Sequence, residues 1–455
     1  KTDTTLFSVI QEDFPAGTRF IHIGDNKNAD VVAPKRVGWE SYHYEDNHSL
    51  SDHSLETIGI SEVYNTYYNA IINNYLNNGI LEGAPYNSPY YYYGFVYGGF
   101  LVLGYVNYIH RYAKEHNLDK VFFLARDGYI LKKVYDQLYS DIPSEYLLWS
   151  RHAGLVTDIR NDINAFLQSF FFRKLETNRR SLIKDTLDEI GLSAWSAKLS
   201  DYGIEKYDQI RNKKAIRNLK KLISENISLL DDLNESRLST MRLYLEPLLI
   251  DCKKIGIVDI GWRGSGALSL RRLIEKEWKF PCKVVGLVAG NLSARSDYDT
   301  TILSEGIINA YMFSDSLNRD LTKFHEESLT IRNCIMEMMT YASHPSLLSV
   351  SASEGGDFRF NFARTESENN KILKILHRAE IDFVKEYTSH VGLLPSLLDI
   401  PGRDVYMPFK NLSFGMNLNR FRKIFGDFTF PRYIGDTNLV FRETFEDICR
   451  SELGN

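Results

Sequence analysis

Two apolar segments of this chain each lead into a short, glycine-containing polar loop and then into a helical pattern. Residues 119–124 lead into the loop 125–128, and residues 254–260 lead into the loop 261–266. A buried strand followed by a loop and a helix is the repeating unit of an open α/β sheet. The sequence therefore predicts an α/β fold with a parallel-type sheet, in which both loops lie at the carboxyl ends of their strands.

The remaining sequence divides the chain into three regions. The polar segment 45–53 indicates a domain boundary, and the Pro- and Gly-containing stretch 83–89 indicates a second break. A third apolar strand is predicted at residues 284–289. We therefore predict an α/β fragment at 1–50, a helical linker at 51–89 and a large domain at 90–455, with a helical insertion at about 157–250 and a helical C-terminal part at about 325–455.

Charge and cysteine spacing exclude several functional classes. The 455 residues carry a net charge of −5 and a pI near 6.2, whereas a nucleic-acid-binding protein usually has a basic excess. No nucleic-acid partner is therefore expected. Cys252, Cys282, Cys334 and Cys449 form no Cys-x-x-Cys pair, so we predict buried free thiols and neither a zinc site nor disulfides.

One uncharged segment is long enough to cross a bilayer. Residues 90–109 contain no charge over twenty residues, and seven of the twenty are tyrosine. Tyrosine hydroxyls suit a packed core or an interface better than lipid. We predict a buried helix here, with membrane contact as the alternative.

The second loop has the composition of a phosphate-binding turn. Its glycines, Gly261, Gly264 and Gly266, permit the close backbone approach that a phosphate requires. A helix would begin near Ser265, and a helix N-terminus attracts anions. Asp259, at the end of the strand, is placed to bind sugar hydroxyls or a metal. We expect the loop to be exposed; a tight turn without a ligand is the alternative.

The first loop offers complementary chemistry. Arg126 presents a fork of donors that suits a diphosphate, and Asp127 could hold Mg²⁺ or cap the helix. The alternative is a surface Arg–Asp pair. Because ligands of open α/β sheets bind outside the carboxyl ends of the strands, the two loops together favour one binding site.

Two further polar clusters are weaker candidates. Arg151 and His152 follow an apolar run and could bind phosphate or belong to a helix cap. His325, Glu326 and Glu327 could supply a substrate contact, a general base or a metal ligand, or form a solvated helix start.

The first fifty residues contain a pattern that resembles the fourth motif of haloacid-dehalogenase-type phosphatases. An apolar run at 19–24 ends in Gly-Asp-Asn, which includes Asp25, and Asp30 follows. The resemblance implies that Asp25 and Asp30 bind Mg²⁺, which prefers carboxylate oxygens; an Asx-rich turn is the alternative. The family's nucleophile motif, Asp-x-Asp-x-Thr directly after a strand, does not occur in residues 1–50. We therefore expect no phosphatase activity from this fragment by itself, and expect the missing half upstream of Lys1.

Together the two loops resemble the ligand loops of type I phosphoribosyltransferases. In that family an apolar strand, an acidic pair and a glycine-containing loop bind the ribose 5-phosphate, and a separate Arg- and Gly-containing loop binds the diphosphate. Residues 257–266 correspond to the first of these and residues 125–128 to the second. Ile260 stands where the family has a second acid, and Trp262 and Arg263 replace its threonine pair.

The order of the modules resembles that of bacterial dual-domain ribofuranosyltransferases, which act in surface-polysaccharide (O-antigen or capsule) synthesis. The resemblance implies a Mg²⁺-dependent glycosyltransferase that moves 5-phosphoribose from phosphoribosyl diphosphate to a lipid-linked glycan acceptor, after which a phosphatase partner removes the 5-phosphate. It implies a cytoplasmic location at the inner face of the cytoplasmic membrane, and it leaves peripheral membrane association and homo-oligomerisation open.

This interpretation assigns roles to named residues. The expected catalytic residues are Asp127, Asp259, Glu326 and Glu327, and the expected metal ligands are Asp25, Asp30 and Asp127. The expected substrate-binding residues are Arg126, Gly128, Arg151, His152, Gly261, Trp262, Arg263, Gly264, Ser265, Gly266 and His325. The alternatives are a glycosyltransferase that uses a nucleotide-sugar donor and a non-enzymatic scaffold that recruits a phosphatase.

Overall fold

The chain divides into two compact units. A computed structural model describes residues 4–43, 59–78, 88–149, 163–167, 171, 181–189, 192–292, 297–345, 347–352, 358–362, 369–392, 394–434 and 439–454. The first unit spans residues 1–82 and the second residues 83–455. The boundary segment expected at 45–53 lies outside the described residues.

The first unit is small and contains a two-stranded parallel sheet. Its described elements are α1 (Thr5–Glu12), β1 (Ile21–Gly24), a π-helix (Lys27–Val32), α2 (Ala33–Arg36), β2 (Glu40–His43) and α3 (Glu62–Asn78). β1 and β2 run parallel. Phe7, Ala33 and Trp39 form a small core, and the Phe20 ring stacks on Trp39 with 4.5 Å between ring centres.

The second unit is built on a five-stranded, all-parallel sheet. Its strands are β3 (Lys120–Leu124), β4 (Ser144–Leu147), β5 (Lys254–Asp259), β6 (Lys283–Gly290) and β7 (Ile308–Phe313). They lie in the order β4-β3-β5-β6-β7. The α/β class and the strands that correspond to β3, β5 and β6 are confirmed, whereas the sequence does not predict β4 and β7. All-parallel sheets are covered on both faces, which explains why β3 and β5 are apolar along their length.

Helices surround this sheet. In the described residues they are α4 (Pro89–Tyr93), α5 (Gly99–Glu115), α6 (Gly128–Leu138), α7 (Ile163–Phe166), α8 (Ile183–Glu189), α9 (Ser193–Ser196), α10 (Lys213–Glu225), α11 (Asp231–Leu245), α12 (Ser265–Arg271), α13 (Asp297–Ser304), α14 (Arg319–Glu327), α15 (Leu329–Thr340), α16 (Asn370–His390), α17 (Gly402–Leu412), α18 (Gly415–Phe425) and α19 (Phe445–Leu453). π-Helices connect α4 to α5 (Gly94–Gly98) and extend α12 (Arg272–Glu277), and 3-10 turns occur at Ser200–Tyr202, Ile227–Leu230, Glu246–Leu249 and Pro395–Leu398.

Two strand pairs interrupt the helical C-terminal part. β8 (Leu347–Ala352) pairs antiparallel with β9 (Phe358–Phe362), and β10 (Thr429–Ile434) pairs antiparallel with β11 (Leu439–Thr444). Helices nevertheless dominate the described residues after 325. The described part of the insertion at 157–250 is helical and has an apolar core of its own.

The uncharged segment 90–109 lies inside the helical stretch that α4, the π-helix and α5 form. Phe95 and Phe100 are fully buried, and both rings contact Phe383 of α16, at 5.3 and 6.3 Å between ring centres. The prediction of a buried helix is therefore confirmed. Among the described residues, no helix combines the length and the apolar character that a membrane span requires. All four cysteines are buried and free, as predicted.

Candidate functional site

The loops after β3 and β5 lie side by side at one edge of the parallel sheet. These strands are direct neighbours, with Phe123 paired to Val258. Their carboxyl ends therefore meet at the same edge, from which the first loop (125–127) and the second loop (260–264) both leave. Each loop contains one cis peptide bond.

The first loop brings a guanidinium and a carboxylate to this edge. The guanidinium carbon of Arg126 lies 4.4 Å from the centre of the Tyr341 ring, and Nη1 donates to the Tyr341 hydroxyl. Asp127 is half-buried and directly precedes α6, which it does not cap through its side chain. Gly128 is buried, and a Cβ there would lie 2.8 Å from the carbonyl carbon of Phe123. Gly128 therefore allows α6 to pack on β3, and its expected role in substrate binding stays a prediction.

Beside the first loop, Tyr146 at the end of β4 forms a hydrogen bond with His344. The tyrosine hydroxyl lies 2.6 Å from His344 Nε2, and His344 Nδ1 lies 2.8 Å from the carbonyl oxygen of Pro345. Because a carbonyl only accepts, Nδ1 carries the proton and Nε2 accepts the bond from Tyr146. Burial lowers the pKa of His344, while burial and then the charge of Asp127 raise the pKa of Tyr146. Sequence inspection misses this pair because its members are 198 residues apart.

Asp259 ends β5 and faces the start of α12. Its Oδ1 accepts the backbone N–H of Ile260 at 2.9 Å, and its carbonyl oxygen accepts the Tyr105 hydroxyl at 2.8 Å. A Cβ on Gly266 would lie 3.6 Å from Asp259 Oδ2, which shows the direction of the carboxylate. Asp259 is therefore held at its backbone carbonyl and at Oδ1, and it is half-buried.

The second loop is more closely packed than its sequence suggests. Gly264 has a φ of +63°, and a Cβ there would lie 2.6 Å from Ile308 Cδ1 on β7. Gly261 has a φ of +150°, and its Cβ position lies 2.5 Å from the carbonyl oxygen of Gly290. Gly264 and Gly266 are buried. The expectation of an exposed loop is therefore wrong at these positions, because the glycines let the loop pack on β6, β7 and β3.

Two residues of this loop region with side chains remain accessible, in addition to Gly261. Arg263 and Ser265 are half-buried. Ser265 is the first residue of α12, and Gly264 occupies the cap position in the left-handed conformation. Ser265 is therefore not the cap, and its backbone N–H belongs to the first turn, where N–H groups have no partner within the helix.

Trp262 belongs to the core rather than to the ligand-facing surface. It is 5% exposed, and its ring stacks on Phe313 with 6.2 Å between ring centres. The indole N–H donates to Oε1 of Glu337 on α15 at 2.9 Å. Its expected role as a substrate-binding residue is therefore corrected: Trp262 anchors the second loop. Glu337 is a supporting residue that sequence inspection does not identify.

His325 is likewise a core residue. It is fully buried, with Nδ1 at 2.8 Å from the Tyr406 hydroxyl and Nε2 at 2.8 Å from Oδ1 of Asn333. Burial lowers its pKa to about 4, so the ring is neutral at physiological pH. Both nitrogens have partners inside the protein, which corrects the expectation that His325 binds substrate.

Glu326 and Glu327 close α14 instead of opening a helix. The Glu327 side chain is 69% exposed, and its Oε2 lies 3.9 Å from Nη1 of Arg332. Glu326 is half-buried. The expectation of a helix start at these acids is wrong, and their suggested role as general base stays a prediction.

In the first unit, Asp30 stabilises the loop that follows β1. Its Oδ1 lies 3.1 Å from His22 Nε2, and its Oδ2 accepts the backbone N–H of Asn26 at 3.0 Å. Asn26 in turn caps the π-helix by accepting two backbone N–H groups. Asp25 is exposed, and its carbonyl oxygen lies 2.9 Å from His43 Nε2. This arrangement favours a structural role for Asp30, since both of its carboxylate oxygens already have partners.

Arg151 and His152 lie outside the described residues. Across the parts of the chain that the structure describes, no three His, Cys, Asp or Glu side chains are grouped to hold a metal ion. A Mg²⁺ site often has only one or two protein carboxylates, with substrate oxygens and water as the other ligands, and Asp127 fits that kind of site.

Comparisons with known proteins assign no family to the chain. No protein-family model matches it, and no curated protein is significantly similar to it. The basis for a function is therefore the geometry of the two loops and the chemistry of their side chains.

Proposed function

We propose that this protein is a Mg²⁺-assisted glycan phosphoribosyltransferase. It transfers 5-phosphoribose from phosphoribosyl diphosphate to a glycan acceptor of bacterial surface-polysaccharide synthesis. The resemblance of its loops to those of type I phosphoribosyltransferases motivates the proposal, and a phosphatase partner then removes the 5-phosphate.

The observation that carries the proposal is that two different loops, each with groups suited to an anion, follow neighbouring strands. The first loop supplies the charged pair Arg126 and Asp127, and the second supplies Asp259 and the start of α12. Phosphoribosyl diphosphate has two anionic ends joined by a ribose. A donor with an anionic group at each end matches a site in which each loop binds one of those groups. Both loops lie at the carboxyl ends of parallel strands, where α/β proteins bind ligands.

Each loop then has a distinct task. Arg126 binds the diphosphate through its fork of N–H donors, with Tyr341 holding the guanidinium in place. The 5-phosphate lies at the first turn of α12, near Ser265, where free N–H groups and the positive end of the helix dipole favour an anion. Asp259, at the end of β5, orients the ribose hydroxyls.

The reaction breaks the bond between the anomeric carbon and the diphosphate and forms a bond to an acceptor oxygen. The transition state resembles an oxocarbenium ion, so the alignment of donor and acceptor contributes more than covalent catalysis. Asp127 would hold Mg²⁺ together with diphosphate oxygens, and the ion would neutralise charge on the leaving group. The acceptor loses one proton, and Glu326 and Glu327 stay the proposed bases.

The first unit is proposed to be part of a haloacid-dehalogenase-type domain. Its support is the parallel pairing of β1 and β2 and the acidic loop that follows β1. Asp25 is the residue of that loop most available to a metal because it is exposed, whereas the carboxylate of Asp30 is engaged.

A turnover assay tests the proposal. The full chain is incubated with phosphoribosyl diphosphate, Mg²⁺ and a panel of glycan acceptors, and diphosphate release is measured. We expect release that requires both Mg²⁺ and an acceptor, and none from nucleotide sugars. Transfer from a nucleotide sugar alone would show that the donor is wrong, and binding of glycans without any turnover would support a scaffold instead.

A further inference from the structure

An exposed surface on α18 combines apolar side chains with positive charge. Phe414, just before the helix, is 52% exposed, and Met416 in its first turn is 70% exposed. Arg420 and Lys423 are exposed and follow Met416 at four and seven positions along α18, so these three lie on one face of the helix. We call Phe414, Met416, Arg420 and Lys423 the 414–423 surface.

The other face of α18 fixes this orientation. Leu418, Phe421 and Phe425 are buried, and the Phe421 and Phe425 rings stack with 4.3 Å between their centres. The helix therefore cannot rotate to hide Met416 without exposing these rings. The exposure of Phe414 and Met416 is a consequence of the packed fold.

Charges around this surface are unevenly distributed. α18, Gly415–Phe425, contains three basic residues and no acid. Lys410 adds a further positive charge near Phe414, because its Nζ lies 5.1 Å from the Phe324 ring, which contacts the Phe414 ring at 6.5 Å.

Two acids on neighbouring elements are paired with cations other than Arg420, Lys423 and Lys410. Glu446 binds Arg422 at 2.8 Å, and Glu327 lies 3.9 Å from Arg332. Asp427 is exposed just beyond the end of α18. α18 itself thus has basic but no acidic residues, in a protein whose net charge is −5.

We propose that the 414–423 surface docks the protein on an anionic lipid bilayer. Phe414 and Met416 enter the interface between head groups and acyl chains, where exposed aromatic and apolar side chains are favourable. Arg420, Lys423 and Lys410 contact acidic head groups, to which basic side chains close to the membrane surface are attracted. A second copy of the chain is a poorer partner for this surface, because a symmetric contact would bring the basic residues of two 414–423 surfaces together. This inference stands independently of the proposed enzymatic function.

Vesicle flotation tests the inference with the full chain. Wild type is mixed with vesicles of phosphatidylcholine alone or with about 30 mol% phosphatidylglycerol, at low salt. We expect flotation only with the anionic vesicles, and release at about 0.5 M NaCl because salt screens the head-group charges. Two double variants, Phe414→Ser/Met416→Ser and Arg420→Gln/Lys423→Gln, should each lower the floated fraction by about fivefold or more.

Matched variants elsewhere on the second unit provide the controls. Ile250→Ser/Leu394→Ser removes two apolar residues of similar exposure, 66% and 59%, and Lys213→Gln/Lys214→Gln removes two exposed charges from α10. Both controls should float like wild type. An equal decrease of the floated fraction in the test and control variants, or no flotation of wild type, would overturn the inference.

A fluorescence measurement separates lipid from a protein occupant. Phe414→Trp should show more tryptophan emission than wild type. Brominated phosphatidylcholine in anionic vesicles should quench this added emission. A dimer that dissociates on Phe414→Ser/Met416→Ser in the absence of lipid would instead assign the surface to a second copy and overturn lipid docking.

Discussion

The indole N–H of Trp262 donates a hydrogen bond to Oε1 of Glu337 at 2.9 Å, and this bond ties the second loop to α15. Tyr341, immediately after α15, contacts Arg126 of the first loop. One helix therefore supports both loops of the candidate site. Supporting contacts of this kind decide whether ligand-binding groups are held within the narrow tolerance that binding requires.

Removal of the Trp262 donor should loosen the second loop. Trp262→Phe keeps an aromatic ring against Phe313 but leaves the Glu337 carboxylate without this bond. We expect a loss of about 1–3 kcal/mol in the free energy of unfolding and weaker binding of phosphoribosyl diphosphate. Urea unfolding and calorimetric titration measure the two effects. Glu337→Gln keeps an acceptor oxygen and should cost less; wild-type behaviour of Trp262→Phe would show that the bond does not support the site.

Loss of charge at Asp127 should impair transfer without unfolding the protein. Asp127→Asn keeps the side-chain size, and the side chain does not cap α6. We expect transfer to fall by about 10²-fold, as when one positioned catalytic group is lost, while the thermal unfolding midpoint stays near that of wild type. Normal transfer by Asp127→Asn would show that the first loop has only a structural role.

Ser265 and Gly264 should respond differently to substitution. Gly264→Val introduces a side chain at a φ of +63° that would collide with Ile308, so we expect it to lower stability by about 2 kcal/mol or more. Ser265→Ala leaves the backbone free to fold. Ser265→Ala should weaken the binding of phosphoribosyl diphosphate several-fold. It should change the binding of inorganic diphosphate little, because diphosphate binds at Arg126. Calorimetric titration of both ligands into Ser265→Ala tests this, and an equal loss for both would mean that the loops form one undivided subsite.

Buried His325 predicts a pH dependence of stability. Its folded-state pKa is about 4, whereas histidine in the unfolded chain titrates near 6.5. The unfolded state therefore takes up a proton first as pH falls, so stability is lost as pH drops from 6.5 towards 4. Between about pH 7 and about pH 5 this amounts to about 2 kcal/mol. His325→Gln should flatten the pH dependence of urea unfolding by that amount; an unchanged slope would contradict the assignment.

The strands of the central sheet could be predicted where the sequence is apolar over a whole strand. Residues 119–124, 254–260 and 284–289 correspond to β3, β5 and β6, because strands of a parallel sheet are buried on both faces. β4 and β7 are edge strands with mixed residues, such as Glu145 and Asn309, so neither produces a continuous apolar run.

The position of the two loops was predictable, but their packing was not. A glycine-rich loop after a strand has the same sequence whether its glycines admit a ligand or a neighbouring strand. Ile308, which meets Gly264, is distant in sequence, as are Glu337, the partner of Trp262, and Tyr406, one of the two partners of His325. Tyr146 and His344 show the same difficulty, because only the fold brings them within 2.6 Å.

The most direct measurement is a competition titration at the two loops. Phosphoribosyl diphosphate is titrated calorimetrically into wild type with Mg²⁺, alone and after saturation with inorganic diphosphate or with ribose 5-phosphate. We expect one site for phosphoribosyl diphosphate and weaker binding of each half-ligand. Each half-ligand should compete with phosphoribosyl diphosphate for binding. Arg126→Gln should weaken the binding of diphosphate far more than the binding of ribose 5-phosphate. Absence of phosphoribosyl diphosphate binding, or binding that neither half-ligand reduces, would contradict a donor site built from the loops after β3 and β5.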